Sequence, residues 1–199
     1  FFEKQIITVD KQIAKEITKL SSEMKKNYKF FFYPEIKNFI SQNEQESIEN
    51  YMKEQNLKIF ESFEEKRRNG ENESIISEII RNDSIIEFDI YVNKTNIYLS
   101  SQIKESIFET NSFLNKKESS LIEYATFYGS IQIVKYLCFN KVKLTPSLWI
   151  YAIHSNKPEL IHFLEENNVE PPNKNYIECI LHSIECHHNN ITDYIRDQF

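Results

Sequence analysis

The stretch Ser119–Leu137, SSLIEYATFYGSIQIVKYL, contains Gly129, one of only two glycines among 199 residues. Apolar residues recur at three- and four-residue spacing on both sides of this glycine, which is typical of amphipathic helices. A glycine between two such runs favours a left-handed residue that ends the first helix. The stretch therefore predicts a helical hairpin with Gly129 at its turn.

The hairpin pattern recurs twice further along the chain. The aligned segments begin at Leu121, Leu148 and Cys179, so the repeats are offset by 27 and 31 residues. Small residues occupy one aligned column, as expected where two helices approach closely; they are Ala125, Ala152 and Ser183. The recurrence predicts a stack of helical hairpins rather than one isolated motif.

The aligned turn positions hold Gly129, Asn156 and His187. Asparagine is the next best residue after glycine for a left-handed conformation, which supports a turn at Asn156. Histidine is less favourable there, so we expect the turn of the third copy to differ. Thr145-Pro146 precedes the second copy and predicts a helix that begins early, with Pro146 at its first position.

These segments resemble the ankyrin repeat, whose units read Thr-Pro-Leu-His-x-Ala-Ala, then Asn-Gly-His, then a Val-Val-x-Leu-Leu helix. The stretches Ala125–Leu137 and Ala152–Leu164 carry that order of residues. Residues 74–199 are similar to the divergent ankyrin-like proteins expanded in parasitic protists, with a helical domain of the type called domain of unknown function 3447. The resemblance implies an all-α, ankyrin-like helical-hairpin solenoid that binds proteins, and it supplies no catalytic residues.

We expect hairpins over residues 74–92, 119–140, 146–168 and 176–198, with a polar cap at Arg196-Asp197-Gln198. Residues 1–70 predict a separate N-terminal helical region, because an apolar stripe follows the candidate N-cap Asp10. That stripe consists of Ile13, Ile17, Leu20, Met24 and Tyr28. We favour packing of this helix on the repeats over a coiled-coil partner helix or a membrane-surface helix.

Two further segments carry structural expectations. The charged run Glu64–Glu73 contains Gly70 and predicts a solvated linker or long loop. An insertion separates Asp83, at the turn of a degenerate first hairpin, from Gly129, 46 residues later. Within this insertion, the apolar residues of Ile103–Phe108 predict one further helical segment.

Composition limits the classes of function. A net charge of −6 and a pI near 5.5 argue against nucleic-acid binding. The scarcity of glycine excludes a phosphate-binding loop, and no apolar run is long enough to cross a membrane. Three cysteines without framework spacing favour a reducing, cytoplasmic location. The chain starts at Phe1 rather than Met, as expected of a fragment.

The ankyrin resemblance implies a concave binding face built from first-helix ends and inter-unit loops. On the aligned copies the helix ends present Phe127, Tyr128 and His154, and the loops present Lys143 and Glu170. Exposed aromatic residues commonly dominate binding energy at interfaces, so we expect these five residues to contact a protein partner. No cofactor is expected, and a small-molecule ligand is disfavoured.

A cysteine–histidine cluster offers an alternative chemistry. Cys179, His182 and Cys186 fall on one face of a predicted helix, and zinc prefers such ligands. A pair of Cys138 or Cys186 with His154, His162 or His182 would suit nucleophilic catalysis if the fold brought the two side chains together. We favour packing, because Cys179 and His182 align with apolar and tyrosine positions of the other copies.

Three functional hypotheses therefore remain. The favoured one is a non-enzymatic interaction scaffold. The others are a structural segment of a larger protein and a metal-binding or catalytic helical protein that uses Cys179, His182 and Cys186.

Overall fold

A computed structural model describes residues 11–23, 28–55, 62–116 and 118–199. This part of the chain is mostly helical and contains no strand, only an isolated bridge between Gln102 and Ser120. The predicted all-α class is confirmed. None of the helices described is long and apolar enough to cross a membrane. The chain forms two compact units, one reaching Asn72 and including Ser106–Asn111, the other comprising Glu73–Glu105 and Ser112–Phe199.

The first unit contains five α-helices and a 3₁₀ turn at Lys37–Phe39 among its described residues. The helices are α1 (Lys11–Glu23), α2 (Tyr28–Phe31), α3 (Tyr33–Ile36), α4 (Gln42–Gln55) and α5 (Phe63–Asn69). Pro34 lies in the first turn of α3, where its missing N–H costs nothing.

The predicted stripe of α1 is rotated relative to the buried face. Ala14 is buried, whereas Ile13 is 40% exposed. Periodicity identifies an apolar side of a helix but does not fix which edge of that side is buried. Asp10, Met24 and the side chains of Leu20 and Tyr28 lie outside the described residues.

The prediction of a loop over Glu64–Glu73 is wrong, because most of this charged run belongs to α5. Two glutamates occupy the first turn of α5 and three basic residues its last turn, which complements the helix dipole. Arg67 forms an ion pair of 2.6 Å with Glu35, and left-handed Gly70 (φ 68°) ends the helix. The separation of acidic and basic residues between the two ends of α5 therefore stabilises a helix and does not mark a linker.

The segment Ile103–Phe108 is not helical, contrary to expectation. The backbone N–H of Ile103 donates to the carbonyl of Ser119 at 2.7 Å, so this residue is held in an extended pairing. Phe108 is fully buried in the core of the first unit, where its ring meets Phe63 edge-on with centroids 5.4 Å apart. These tertiary contacts override the helical tendency of a short apolar run.

Four helical hairpins follow one another in the second unit. They are α6 (Ile75–Arg81) with α7 (Ile85–Thr95), α8 (Leu121–Tyr128) with α9 (Ile131–Phe139), α10 (Leu148–Ser155) with α11 (Pro158–Glu166), and α12 (Ile177–Glu185) with α13 (Asn189–Gln198). The first helices contact one another in order, α6 with α8, α8 with α10 and α10 with α12. We call these pairs the first to fourth hairpins.

The turns of the hairpins follow the sequence alignment. Gly129 (φ 76°) ends α8 in the left-handed conformation, as predicted, and Asn156 (φ 52°) does the same for α10. In the fourth hairpin the aligned His187 (φ 58°) is left-handed as well. The N–H groups of His187 and His188 donate to the carbonyls of Ile184 and Ser183, as those of Gly129 and Ser130 donate to Thr126 and Ala125. The expectation of a different turn in that copy is therefore wrong. The aligned small residues are fully buried, as expected for closely packed first helices; they are Ala125, Ala152 and Ser183.

The helix α10 begins later than Thr145-Pro146 suggested. The N–H of Leu148 donates to the carbonyl of Thr145 at 3.0 Å, so the Thr-Pro pair forms a turn that leads into the helix. The pair still resembles the ankyrin opening in sequence, but Pro146 is not the first helical residue.

Each junction between successive hairpins contains a carboxylate of the earlier hairpin that accepts a hydrogen bond from the later one. The pairs are Asp83 with the backbone N–H groups of Gln132 and Ile133 (3.1 Å each), Glu123 with Ser147 Oγ (2.9 Å), and Glu165 with Tyr194 OH (3.0 Å). We call Asp83, Glu123 and Glu165 the junction carboxylates. They add directional polar contacts to the apolar stacking of the helices.

Candidate functional site

Three of the five predicted binding residues lie together at the ends of successive first helices. The ring of Phe127 is 5.1 Å from that of Tyr128 at the end of α8 and 5.6 Å from that of His154 in α10. The ring of His154 is in turn 5.8 Å from His182 in α12. These rings form an extended surface, which we call the aromatic row and define as Phe113, Phe127, Tyr128, His154 and His182.

Phe113 lies at the centre of the aromatic row. Its ring stacks on Phe127 at 5.9 Å with an interplanar angle of 12° and lies 4.0 Å from the ring of His154. It also meets buried Tyr151 edge-on at 4.9 Å. The sequence analysis did not identify Phe113, although the 46-residue gap between Asp83 and Gly129 located the insertion that carries it.

Arg81 lies at one end of the aromatic row. Its Nη1 donates to the hydroxyl of Tyr124 at 2.9 Å, and its guanidinium lies 5.8 Å from the centroid of the Tyr128 ring. A guanidinium over an aromatic face is attracted by the ring quadrupole. The row therefore combines an apolar middle with a cationic end.

The rings of the aromatic row are half-buried, while Tyr124 and Tyr151 beneath them are buried. Because each ring contacts at least one other ring, its rotamer is held before any partner arrives. An ordered, partly exposed aromatic surface loses little conformational entropy on binding. This arrangement is suited to binding another molecule.

Lys143 and Glu170 are exposed and follow the second helices α9 and α11. Their loops have the same geometry, because the N–H of Val142 donates to Leu137 O and that of Val169 to Leu164 O, each at 3.0 Å. This bond is the signature of a Schellman cap. The two charged residues therefore occupy equivalent positions, at the ends of second helices rather than in the aromatic row.

The cysteine–histidine cluster does not form a metal site. Cys179 is fully buried, and burial raises the pKa of its thiol to about 12. His182 Nδ1 lies 3.4 Å from Glu185 Oε2, and its ring lies against Phe113. Among the described residues no group of three or more His, Cys, Asp or Glu side chains is arranged to hold a metal ion. The packing interpretation of Cys179 is confirmed.

One cysteine–histidine pair does come together. Cys186 Sγ lies 3.3 Å from His154 Nδ1, within reach of a weak hydrogen bond. Burial and the nearby carboxylate of Glu185 raise the pKa of the Cys186 thiol above its ordinary value. The thiolate is the nucleophilic form, so this environment favours an unreactive thiol.

The burial of the cysteines predicts an order of reaction with N-ethylmaleimide. At pH 7 we expect half-buried Cys138 to be modified before Cys186, whose raised pKa lowers its thiolate fraction. Cys179 should react only after unfolding in urea, because it is fully buried. Peptide mass spectrometry at successive times measures the order. Modification of Cys179 in the folded protein at a rate similar to that of Cys138 would contradict the packing described here.

Comparison with protein-family models, curated proteins and solved structures finds no match for this chain. The resemblance to ankyrin-like proteins therefore depends on the aligned residues alone.

Proposed function

We propose that this chain is a non-enzymatic scaffold of ankyrin-repeat type that binds a protein partner through the aromatic row. The observation that carries the proposal is the row itself, in which rings from three successive first helices and from Phe113 form one half-buried surface. Aromatic residues with few rotatable bonds are the side chains that most often dominate binding energy.

The succession of hairpins supports an ankyrin-like solenoid as the architecture behind this surface. The left-handed turn residues Gly129 and Asn156 fall at aligned positions, and the first helices contact one another in order. A hairpin is too small to bury its apolar face alone, so stacking creates both a core and an extended binding side. We also propose that the chain is of the divergent ankyrin-like type expanded in protists and that it acts in the cytoplasm.

The half-buried rings of the aromatic row indicate the chemistry of the partner. Lys143 and Glu170 are exposed at the ends of second helices, outside the row. We propose that the partner presents an apolar segment to the rings. Nucleic acid is disfavoured by the net charge of −6.

The proposal is tested by affinity capture from native lysate with three matched proteins: wild type, Phe127→Ala/Tyr128→Ala and Tyr98→Ala/Phe139→Ala. The control pair removes the same two residue types at positions that are 82% and 83% exposed and are not part of the aromatic row. We expect a specific protein to be retained by wild type and the control but to be at least about tenfold depleted with the row variant.

Thermal unfolding followed by circular dichroism establishes that the captured variants are folded. Because Phe127 and Tyr128 pack on neighbouring rings, a modest loss of stability is expected, and binding is compared well below the transition. Equal capture by all three folded proteins would rule out the aromatic row as the binding surface and would favour the structural-segment hypothesis. Charge reversal of Lys143 and Glu170 tests separately whether the loops take part.

A further inference from the structure

Phe113 differs from the other members of the aromatic row because it does not belong to a hairpin. It comes from the insertion between the first and second hairpins, in a turn that leads into the 3₁₀ helix Leu114–Lys116. Its ring nevertheless lies against the first helices of three hairpins, α8, α10 and α12. A side chain from outside the repeat therefore occupies the surface that the repeat builds.

Four rings surround that of Phe113. Phe127 and His154 lie roughly parallel to it, at 5.9 Å and 4.0 Å with interplanar angles of 12° and 33°. Tyr151 and His182 meet it edge-on, at 4.9 Å and 6.3 Å. We call these four residues the ring cradle. Stacked and edge-on contacts are the arrangements that aromatic rings prefer, so the cradle suits a ring better than an aliphatic side chain.

The ring cradle is built from equivalent positions of the copies. Phe127 aligns with His154, and Tyr151 aligns with His182. These positions lie towards the ends of successive first helices, on the side where the proposed function places the partner. Phe113 and a partner bound at the aromatic row would thus compete for the same four rings.

Two sides of the ring cradle are held by contacts that do not involve Phe113. The hydroxyl of Tyr151 is 3.1 Å from Ser119 Oγ, and Nδ1 of His154 is 3.3 Å from Cys186 Sγ. Tyr151 is also fully buried at the base of the cradle. The cradle is therefore ordered without its occupant, which lowers the entropic cost of receiving another ring.

The insertion is anchored beside Phe113 rather than by it alone. Leu114 is buried in the core of the hairpins, whereas Phe113 is half-buried. Rotation about χ1 of Phe113 can take its ring out of the cradle while Leu114 keeps the segment in place. Rotamer changes of partly exposed side chains are fast, so the occupant can leave without unfolding of the hairpins.

We propose that the ring cradle receives one aromatic side chain from a non-helical segment of the protein partner, and that Phe113 fills the cradle until that segment binds. The resident side chain shows what fits: a phenylalanine ring presented by a turn. This inference rests on the proposed function and deepens it, because it names the group that the partner inserts. Only molecules with an empty cradle can bind, so Phe113 lowers the apparent affinity in proportion.

A peptide titration followed by NMR tests the ring cradle directly. The probe is a heptapeptide with the sequence of residues 110–116, TNSFLNK, blocked at both ends. We expect Phe113→Ala to bind it at least about tenfold more tightly than wild type does, because the cradle is vacated. Phe139→Ala is the matched control, since this phenylalanine is 83% exposed and lies outside the row. It should bind the peptide as weakly as wild type.

A second peptide, with leucine in place of phenylalanine, tests the preference for a ring. We expect it to bind Phe113→Ala at least about fivefold more weakly than the first peptide does. Phe113→Leu keeps an apolar side chain but no ring, and it should also bind the first peptide more tightly than wild type, which covers a failure of the alanine variant to fold. Equal binding of the first peptide by wild type and the folded Phe113 variants, or equal binding of both peptides, would overturn the proposal.

Capture from native lysate separates this inference from the proposed function. We expect Phe113→Ala to retain several-fold more of the partner than wild type, whereas Phe127→Ala/Tyr128→Ala loses it. If Phe113→Ala loses the partner as well, the aromatic row remains the binding surface but Phe113 is a fixed part of it, and the inference is overturned. Equal capture by wild type and the Phe127→Ala/Tyr128→Ala variant would instead overturn the proposed function, together with the partner's use of the cradle.

Discussion

Replacing Trp149 with alanine is expected to lower the free energy of unfolding by about 3–5 kcal/mol, the range for removing a large aromatic side chain from a core. Trp149 is fully buried in α10, at the centre of the four hairpins. Its indole N–H donates to the carbonyl of Val169 at 2.8 Å, and its ring meets Tyr176 edge-on at 5.2 Å. Alanine would therefore leave both a cavity and an unpaired buried carbonyl.

Urea denaturation followed by far-UV circular dichroism measures this effect, because Trp149 is the only tryptophan and the variant lacks its fluorescence. Trp149→Phe serves as the control, since it keeps most of the ring volume and loses the hydrogen bond. We expect its cost to be about 1–2 kcal/mol. An alanine variant as stable as the phenylalanine variant would show that Trp149 is not a central core residue.

Replacing Phe108 with alanine is expected to destabilise the first unit by a similar amount, about 3–5 kcal/mol. Phe108 is fully buried among the core residues of that unit, which also include Phe63 and Met52. Its segment is tied to the end of α5 by a backbone hydrogen bond of 3.0 Å from Thr110 N–H to Gly70 O. Loss of the ring should therefore weaken the packing of Ser106–Asn111, which is distant in sequence from the rest of the unit.

Hydrogen exchange with peptide-level mass spectrometry localises the effect of Phe108→Ala. We expect faster exchange in the peptides that cover α4 and α5. Phe39→Ala is the matched control, because this phenylalanine of the same unit is 41% exposed and its removal should change exchange little. Unchanged exchange in α4 and α5 of the Phe108→Ala protein would contradict the assignment of Phe108 to that core.

The hairpins were predictable because their signals are local. The left-handed turns at Gly129 and Asn156 follow from the residues that tolerate positive φ, and helix periodicity supplies the rest. The burial of Ala125 and Ala152 was predictable from the alignment of the copies, because a repeat brings equivalent positions to equivalent environments.

The features that sequence reasoning missed depend on long-range contacts. The helix α5 is stabilised by the pairing of Arg67 with Glu35, a partner that the charged run itself does not reveal. Phe108 belongs to the first unit although most of the surrounding chain belongs to the second. No local pattern in the insertion distinguishes a residue that enters a distant core from one that forms a helix.

The candidate site was predictable in part, because the repeat alignment places equivalent residues side by side. Phe127, Tyr128 and His154 come together because the repeat places the ends of first helices side by side. Phe113 reaches them from outside the repeat, so the alignment could not include it. Cys186 beside His154 likewise reflects the juxtaposition of two hairpins rather than spacing within one.

The junction carboxylates give the order of the hairpins a chemical meaning. Asp83, Glu123 and Glu165 each lie on the earlier hairpin and accept from a donor on the later one: backbone amides, a serine hydroxyl and a tyrosine hydroxyl. The first and third junctions share one kind of donor, because Tyr136 OH also donates to Asp89 at 2.7 Å. The second junction uses the serine hydroxyl instead. If a hairpin were moved to another place in the series, its carboxylate could face a donor group of a different kind or at a different position. Reordering the hairpins, or replacing them all with copies of one consensus unit, would therefore separate some of these donors from their carboxylates.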